Sequence, residues 1–287
     1  MATVLNAKQR SAFDADGYVV VRQFFDAEET ALLRSAMEKD PAISEHFYAR
    51  ADSEGGVTKM AIWNHPGDSV YGLAARTERM VDTMEDLLGG EVYHYHSKLT
   101  AKDPEEGGAW EWHQDYGYWY HNGCLYPLMA SAMIALDRCT RENGCLQVLK
   151  GSSQLGRIDH GLLDGEQVGA DLNRVDQASS QLPLVHVEME PGDVLLFHCN
   201  TLHRSDQNRS ADRRWTMICC YNAARNNPYR EHHHPRYTPL EKVADNALKE
   251  AGLRFQSATA DDTFLTQAVA PAELTQRVGR SYKVNES

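Results

Sequence analysis

Apolar positions change their period twice along the chain. Between Leu5 and Asp40 they recur at helical spacing on either side of a short β-branched run. The first helix is predicted to stop at Gly17. Tyr18 to Arg22 reads as a strand, and a second helix opens at Asp26. That carboxylate can cap the helix, with Glu29 as the return partner of a capping box, and Leu32, Leu33 and Met37 share one face. A further helix is predicted from about Arg76 to Leu88, closed by Gly89 and Gly90. From Glu91 the period shortens to alternation. "EVYHYHSKLTA", "MASAMIALDRC", "GCLQVLKGS", the two halves of "LPLVHVEMEPGDVLLFHC" and "RRWTMICCYNAA" all read as strands. Asn143-Gly144 in "TRENG" is a hairpin-type turn signal between two of them, and Pro191-Gly192-Asp193 separates two others. A late helix is expected in "YTPLEKVADNALKEAG", and the stretch past Ser257 is polar and mixed. Several short strands with turns between them predict an antiparallel sandwich or barrel, mainly β with flanking α-helices.

There is no internal repeat or linker. The 287 residues are therefore expected to form one domain: a helical part over about 1–90, a β core over about 91–225, and a loop and helix extension over about 226–287. The 42% hydrophobic content is ordinary for a globular chain. A net charge of −12 and a pI near 5.5 argue against general binding to nucleic acid or an anionic membrane. Arg204, Arg209, Arg213, Arg214, Arg225, Arg230 and Arg236 nevertheless crowd one region, where a local anion site is conceivable. The six cysteines include no C-x-x-C pair, which predicts free thiols in a reducing compartment. No signal-peptide core and no run approaching the ~20 apolar residues of a membrane span is present, so a cytoplasmic protein is expected.

Candidate chemistry begins at "WHQDYGYWY". His113 and Asp115 are two apart, and on an extended chain such residues point to one side. Imidazole plus carboxylate is two-thirds of the ligand set of a non-haem Fe(II) site, which needs a second histidine. "PGDVLLFHCNTLHRSDQN" offers His198 and His203, at the end of an apolar strand that a jelly roll could return across the barrel. Ser205 follows His203 by two residues and Arg214 by eleven. An arginine on a neighbouring strand, deeper in the barrel, can pair with a carboxylate such as the far end of a 2-oxoacid.

At these residues the chain resembles the phytanoyl-CoA dioxygenase family of Fe(II)/2-oxoglutarate-dependent oxygenases, which includes ectoine hydroxylase. The likeness is carried by "DGYVVVRQFF", "WHQD", "ENGCLQVLKGSS", "PGDVLLFHCNTLHRSDQN" and the arginine eleven residues past the distal histidine. The resemblance implies a double-stranded β-helix (jelly roll, cupin-like) core and a metal triad of His113, Asp115 and His203. It also implies a 2-oxoglutarate clamp of Arg214 assisted by Ser205, with Trp119 beside the cosubstrate. The cofactors so implied are Fe(II), 2-oxoglutarate and O2, with ascorbate supportive in vitro. "KGSS" at Lys150 to Ser153 stands where the family has "PGSH", and the wording around "WHQD" points away from ectoine as substrate.

His198 lies inside the apolar strand at an odd offset from His203, so it is expected to pack elsewhere. Arg213 points opposite to Arg214, and the family offset selects Arg214. About half of Trp112, Tyr116, Tyr118, Trp119 and Tyr120 are expected in the core by alternation, with Tyr116 and Tyr118 candidates for a substrate wall. His94 and His96 are expected on one face of their strand. His96 and Lys98 are candidates for contact with cosubstrate or substrate. His232 to His234 reads as a solvated or substrate-facing loop rather than a second metal site. Asp115 argues against a halogenase. The expected activity is hydroxylation of a small polar metabolite such as an amino acid, a zwitterion or a phosphonate. The alternatives are an acyl-CoA hydroxylase, an oxygenase that takes no 2-oxoacid, and a non-catalytic jelly roll that binds a metal or ligand.

Overall fold

The structure, a computed structural model, describes residues 5–164, 166–255 and 264–265. Helix α1 (Ala7–Asp16) is capped by a box between Asn6 and Gln9 and stops at Gly17, whose φ of 83° is left-handed. A Cβ there would lie 2.6 Å from Ser153 Oγ, so both conformation and space require glycine. Strand β1 (Tyr18–Val21) follows, then α2 (Ala27–Lys39), in which Asp26 and Glu29 form the expected capping box. Next come α3 (Pro41–His46), β2 (Tyr48–Ala51), β3 (Val57–Trp63), α4 (Val70–Arg76) and α5 (Glu78–Leu88). The first 90 residues are thus not simply helical. The core elements are β4 (Val92–Lys102), β5 (Trp110–His113), α6 (Asp115–Trp119), β6 (Met129–Ala135), β7 (Leu146–Leu149), β8 (His160–Leu162) and β9 (Val168–Ala170). They continue through α7 (Leu172–Gln181), β10 (Leu184–Val187), β11 (Val194–His198), β12 (His203–Ser205) and β13 (Arg214–Ala223). Helix α8 (Ala247–Ala251) and β14 (Phe264–Leu265) complete the described chain. The predicted late helix shrinks to α8. Apart from Phe264 and Leu265, the polar stretch past Ser257 lies outside the described residues.

Two antiparallel sheets face each other as a jelly roll. The larger runs β1-β11-β6-β13-β4-β3-β14 with β2 attached to β3, and the smaller runs β10-β7-β12-β5. Between them lie Met133, Leu146, Val148, Val187, Leu195, Phe197, Ile218 and Cys220. The outer face of the large sheet is covered by α1, α2, α4 and α5 through Phe13, Leu33, Met37, Leu73, Met84 and Leu87. Helix α7 covers the small sheet through Val175 and Ala178. Both faces of the large sheet are therefore dry, which is why β6 reads as an unbroken small-apolar run with one serine.

The turn at Asn143-Gly144 forms, with Asn143 and Thr140 bonded across it, but it does not close a hairpin. It carries the chain from β6 in the large sheet to β7 in the small one, and Pro191-Gly192-Asp193 returns it from β10 to β11. Alternation looks the same whether the next strand pairs or faces, so the pattern does not distinguish a hairpin from a corner.

Candidate active site

His113 and His203 are cross-strand partners in the small sheet, their rings 4.0 Å apart between centroids. His203 stands there because the chain leaves β11 of the large sheet at His198 and re-enters as β12 of the small one. That change of sheet, rather than an odd offset on one strand, separates the two histidines. His198 packs edge-on against Phe13 at the rear of the molecule, and its Nδ1 accepts a hydrogen bond from Asn200 N. The pairing of β5 with β12 slips by one residue between His113↔His203 and Trp110↔Ser205, and this bulge turns both Trp110 and His113 inward. Trp112 faces out, beneath the Arg204 guanidinium.

Each buried histidine is oriented by the carbonyl two residues before it. His113 Nδ1 lies 2.7 Å from Glu111 O and His203 Nδ1 lies 2.9 Å from Thr201 O. A carbonyl only accepts, so each Nδ1 carries the proton and each Nε2 keeps its lone pair. Burial holds both imidazoles below their ordinary pKa. For His113 the neighbouring His203 adds to that, whereas for His203 the Asp115 carboxylate opposes it. The third donor comes from a helix, not an extended chain, because Asp115 is the first residue of α6. The Gln114 side chain anchors this bend by donating to Gly156 O and Asn200 O and accepting from Ile158 N. Ser131 Oγ donates to Asp115 Oδ2 at 3.0 Å, leaving Oδ1 4.0 Å from His113 Nε2. Ligand atoms of His113, Asp115 and His203 all lie within 4.8 Å of one another. Two neutral imidazoles and one carboxylate on a single side, with other directions open, fit a ferrous ion that must also accept a chelating cosubstrate.

Helical periodicity also sorts the aromatic run. Asp115, Tyr118 and Trp119 share the face toward the cavity, while Tyr116 and Tyr120 pack on each other at 5.9 Å on the opposite face. The expectation of alternation gives way here, and Tyr116 belongs to the core, its hydroxyl donating to Leu125 O. A Cβ on Gly117 would sit 2.2 Å from the His160 ring, so only glycine lets that ring lie against α6 and accept from Gln114 N.

Strand β4 supplies the facing wall. Its register with β13 slips between Cys220↔His96 and Tyr221↔His94, so Tyr95 is an extra residue. His94 and His96 consequently face opposite sides, contrary to expectation. His94 points outward to Tyr221 and Ser97, with burial pushing its pKa down to about 3. His96 points inward against Trp119, its Nδ1 buried with no hydrogen-bond partner among the described residues. Beyond the bulge Lys98, Thr100 and Lys102 alternate into the interior.

Two cavities meet at the triad. The wider, about 330 Å³, is lined by Tyr48, Arg50, His96, Lys98, Trp110, Tyr118, Trp119, Glu166, His233 and His234, among others. The histidine run therefore reaches the pocket: His234 stacks on His96 at 4.5 Å and bonds Asn64 Oδ1 at 2.9 Å. The narrower, about 50 Å³, has room for a carboxylate and little more. Lys98, Lys102, His203, Ser205 and Arg214 are among the residues that line it. Arg214 is 3% exposed, and no hydrogen-bond or ion-pair partner faces its guanidinium among the described residues. It faces His203 across the sandwich, from the other sheet, rather than from a neighbouring strand.

Three of the remaining arginines have other partners. Arg213 turns outward to Glu38 and Asp137, Arg204 pairs with Asp206, and Arg225 donates to Leu88 O at the end of α5. Sequence reading missed Ser131, Gln114, Tyr118's helical placement and Lys102. Ser131 could have been noticed as the one hydroxyl in "MASAMIA", and Lys102 as the residue sharing the parity of Lys98.

Residues 13–216 match the family profile of Phytanoyl-CoA dioxygenase (PhyH). The L-proline trans-4-hydroxylase of Streptomyces griseoviridis is 30% identical over 244 residues, covering 79% of this chain and 89% of the relative. Ectoine dioxygenase of Sphingopyxis alaskensis is 30% identical over 236 residues, 77% of each chain. The crystal structure of EctD from S. alaskensis with 2-oxoglutarate and 5-hydroxyectoine superposes with a TM-score of 0.70 at 25% identity, over 84% of this chain and 88% of that one.

Proposed function

The chain belongs to the phytanoyl-CoA dioxygenase (PhyH) family, and from that premise we propose that it is an Fe(II)- and 2-oxoglutarate-dependent dioxygenase. It hydroxylates an unactivated C–H bond of a small polar metabolite. One dioxygen, one 2-oxoglutarate and one substrate yield succinate, CO2 and the alcohol. The observation that carries this reading is the position of three neutral-or-anionic donors, His113, Asp115 and His203, where a cation-lined cavity and a larger, aromatic-walled pocket with a few charged groups meet.

In this reading His113 Nε2, Asp115 Oδ1 and His203 Nε2 hold the iron. The bound iron supplies activation of dioxygen coupled to decarboxylation of the cosubstrate. Arg214 pairs with the far carboxylate of 2-oxoglutarate and Ser205 donates to it, a charge-assisted contact in a dry site. Trp119 packs beside the cosubstrate, and Ser131 holds the Asp115 carboxylate in its turned position through Oδ2. Lys98 has no hydrogen-bond or ion-pair partner among the described residues and lines both cavities, so its ammonium is available to an anionic group at their junction. His96 and Trp119 close the pocket to water.

The wide pocket lies at the small end of the roughly 300–1,000 Å³ usual for ligand sites. It carries Lys98 and Arg50 of one sign and Glu166 of the other, set among aromatic rings. That suits an amino acid or a similar zwitterion, the class to which the substrates named for the proline and ectoine relatives belong. A small-molecule substrate, rather than nucleic acid or a membrane, accords with the net charge of −12. No helix among the described residues is long and apolar enough to cross a membrane. Six free, buried cysteines suit the reducing cytoplasm, and we read the chain as one domain.

The test is direct. Anaerobic protein with Fe(II) should develop a visible absorption band when 2-oxoglutarate is added. With O2, ascorbate and a panel of amino acids and zwitterions, it should form succinate in step with a hydroxylated product. Absence of the band, together with no succinate from any compound, would end this reading.

A further inference from the structure

Strand β2 and the segment between β8 and β9 set opposite charges side by side at one edge of the wide cavity. Glu166 N donates to Ala51 O at 3.3 Å, and Ala51 N donates to Glu166 Oε2 at 3.2 Å. The carboxylate is thereby held at the residue that follows Arg50, and both Arg50 and Glu166 line the cavity. The Arg50 guanidinium lies over the Tyr48 ring, 5.7 Å from its centroid. That is within the range of a cation–π contact, which restricts where its N–H groups stand. Glu166 is exposed and Arg50 half-buried, so the pair stands at the mouth.

The opposite end is marked by the residues that line both cavities, Met60, Lys98, Trp110 and His113. Strand β3 lies between β2 and β4, with Tyr48 opposite Met60 in one pair and Ile62 opposite Lys98 in the other. Strand β2 is therefore two strands from the β4 wall that carries Lys98, about 10 Å at the usual strand spacing. Met60 and Ile62, both buried, floor that interval, and Leu162 and Val168 wall it. None of these four side chains carries a charge or an N–H or O–H group. Charge at the mouth, apolar surface behind it and metal ligands at the far end set an order for whatever fills the cavity.

We propose that Arg50 and Glu166 form a head-group clamp for a free α-amino acid, Arg50 taking its carboxylate and Glu166 its ammonium. An aliphatic side chain then runs past Met60 and Ile62 and offers Cγ or a more distant carbon to the iron. The inference rests on the reading of the triad as an Fe(II) and 2-oxoglutarate site, and it fixes the substrate class and orientation that this reading leaves open. In the reversed orientation the head group sits on Lys98 and Cα lies at the metal. The apolar tail is then pushed toward Arg50, Glu166 and water, which forfeits its burial.

The experiment follows the visible band of the anaerobic protein loaded with Fe(II) and 2-oxoglutarate while L-leucine, L-isoleucine, L-norleucine and L-proline are titrated in. At least one should perturb the band and, with O2, be hydroxylated at Cγ or beyond. Two part-molecules of the tightest binder are then compared with it, the desamino acid and the decarboxylated amine (for L-leucine, 4-methylpentanoate and 3-methylbutylamine). Each should bind about tenfold more weakly than the amino acid, the low end for hydrogen bonds to charged groups, because the clamp stands half open to water. Arg50→Met should weaken the amino acid and the desamino acid by about that factor and leave the amine as in wild type. Glu166→Gln, which keeps an acceptor for Ala51 N, should weaken the amino acid and the amine and leave the desamino acid unchanged. Affinity for 2-oxoglutarate should be the same in both variants as in wild type. Equal weakening of all three compounds overturns the proposal, because a merely structural change behaves that way. Wild-type amino-acid binding in both variants overturns it too, as does hydroxylation at Cα or Cβ. If the 2-oxoglutarate band forms and none of the four amino acids perturbs it, the clamp falls and the site reading stands. If no band forms, the site reading itself fails and takes the clamp with it.

Discussion

The two cavities that meet at the triad are built by different means. The narrow one draws Lys98, Lys102 and Arg214 from β4 and β13 and its remaining lining largely from β3, β5, β6 and β12, strands paired in ladders that slip once between β4 and β13 and once between β5 and β12. The wide one is closed by β2, α6, the segment around β8 and β9, and His233 and His234. Paired strands hold a side chain on a scaffold, whereas loops and added segments can change without disturbing the sandwich. The family profile spans residues 13–216 and so contains Arg214, while His233 and His234 lie past its end. On the proposed reading, the cosubstrate would meet the strand-built cavity, and the substrate the cavity that added segments help to close.

The severest way to break this comparison is to remove what both cavities share. Asp115→Ala should abolish succinate formation and retention of stoichiometric Fe(II), measured by turnover and by metal analysis after dialysis. The fold should survive, since among the described residues that carboxylate accepts a hydrogen bond only from Ser131. Persisting turnover would refute the triad. Next in size is Arg214→Ala, which acts on the narrow cavity alone. The 2-oxoglutarate KM should rise by about two to three orders of magnitude, corresponding to the ~3–5 kcal/mol at stake when a buried charged pair loses one partner. Substrate KM, measured at saturating 2-oxoglutarate, should be nearly unchanged. A comparable rise in substrate KM would show that the cavities are not separable.

Legibility in the sequence follows the same division. His113, Asp115, His203 and Arg214 are legible through their spacings taken together with the family resemblance. The means by which they converge could not be read. A one-residue bulge at Tyr95 sends His94 out and His96 in, and another in β5 turns His113 inward beside Trp110. Alternation cannot reveal a bulge, because the inserted residue simply shifts the phase of everything after it. Asp115 opens a helix of five residues, too short for its period to stand out from that of a strand. Nor does apolar patterning say when the chain changes sheets, as it does between His198 and His203. The reach of His234 back to Asn64 and His96 is a contact across 138 residues or more that no local pattern encodes.

Ser131 tests how far the core strands tune the metal. It is the polar residue of β6 that faces the interior, and it orients the Asp115 carboxylate from outside the ligand set. Partners of this kind are worth about 10–100-fold in metal affinity. Ser131→Ala should therefore weaken Fe(II) binding by about that factor in a competition titration with a chelating dye. At saturating iron, the KM for 2-oxoglutarate should stay as in wild type. A simultaneous loss of 2-oxoglutarate affinity would mean that Asp115 also positions the cosubstrate.

The smallest expected effect belongs to the variable wall. His234 stacks on His96 with rings 23° from parallel, leans on Tyr95 and is pinned by Asn64, so removing the imidazole opens one side of the wide pocket without touching the triad. Contacts of this type are worth about 0.5–1.5 kcal/mol. His234→Ala should then raise substrate KM by about two- to tenfold, with 2-oxoglutarate KM and Fe(II) affinity unchanged. The looser pocket should also admit more water, so succinate should form in excess over hydroxylated product, measured as the ratio of the two. His234→Phe, which keeps the stack but not the bond to Asn64, should recover most of the coupling. If both variants retain wild-type substrate KM and coupling, the histidine run is an ornament of the surface, and the substrate wall is α6 and β2 alone.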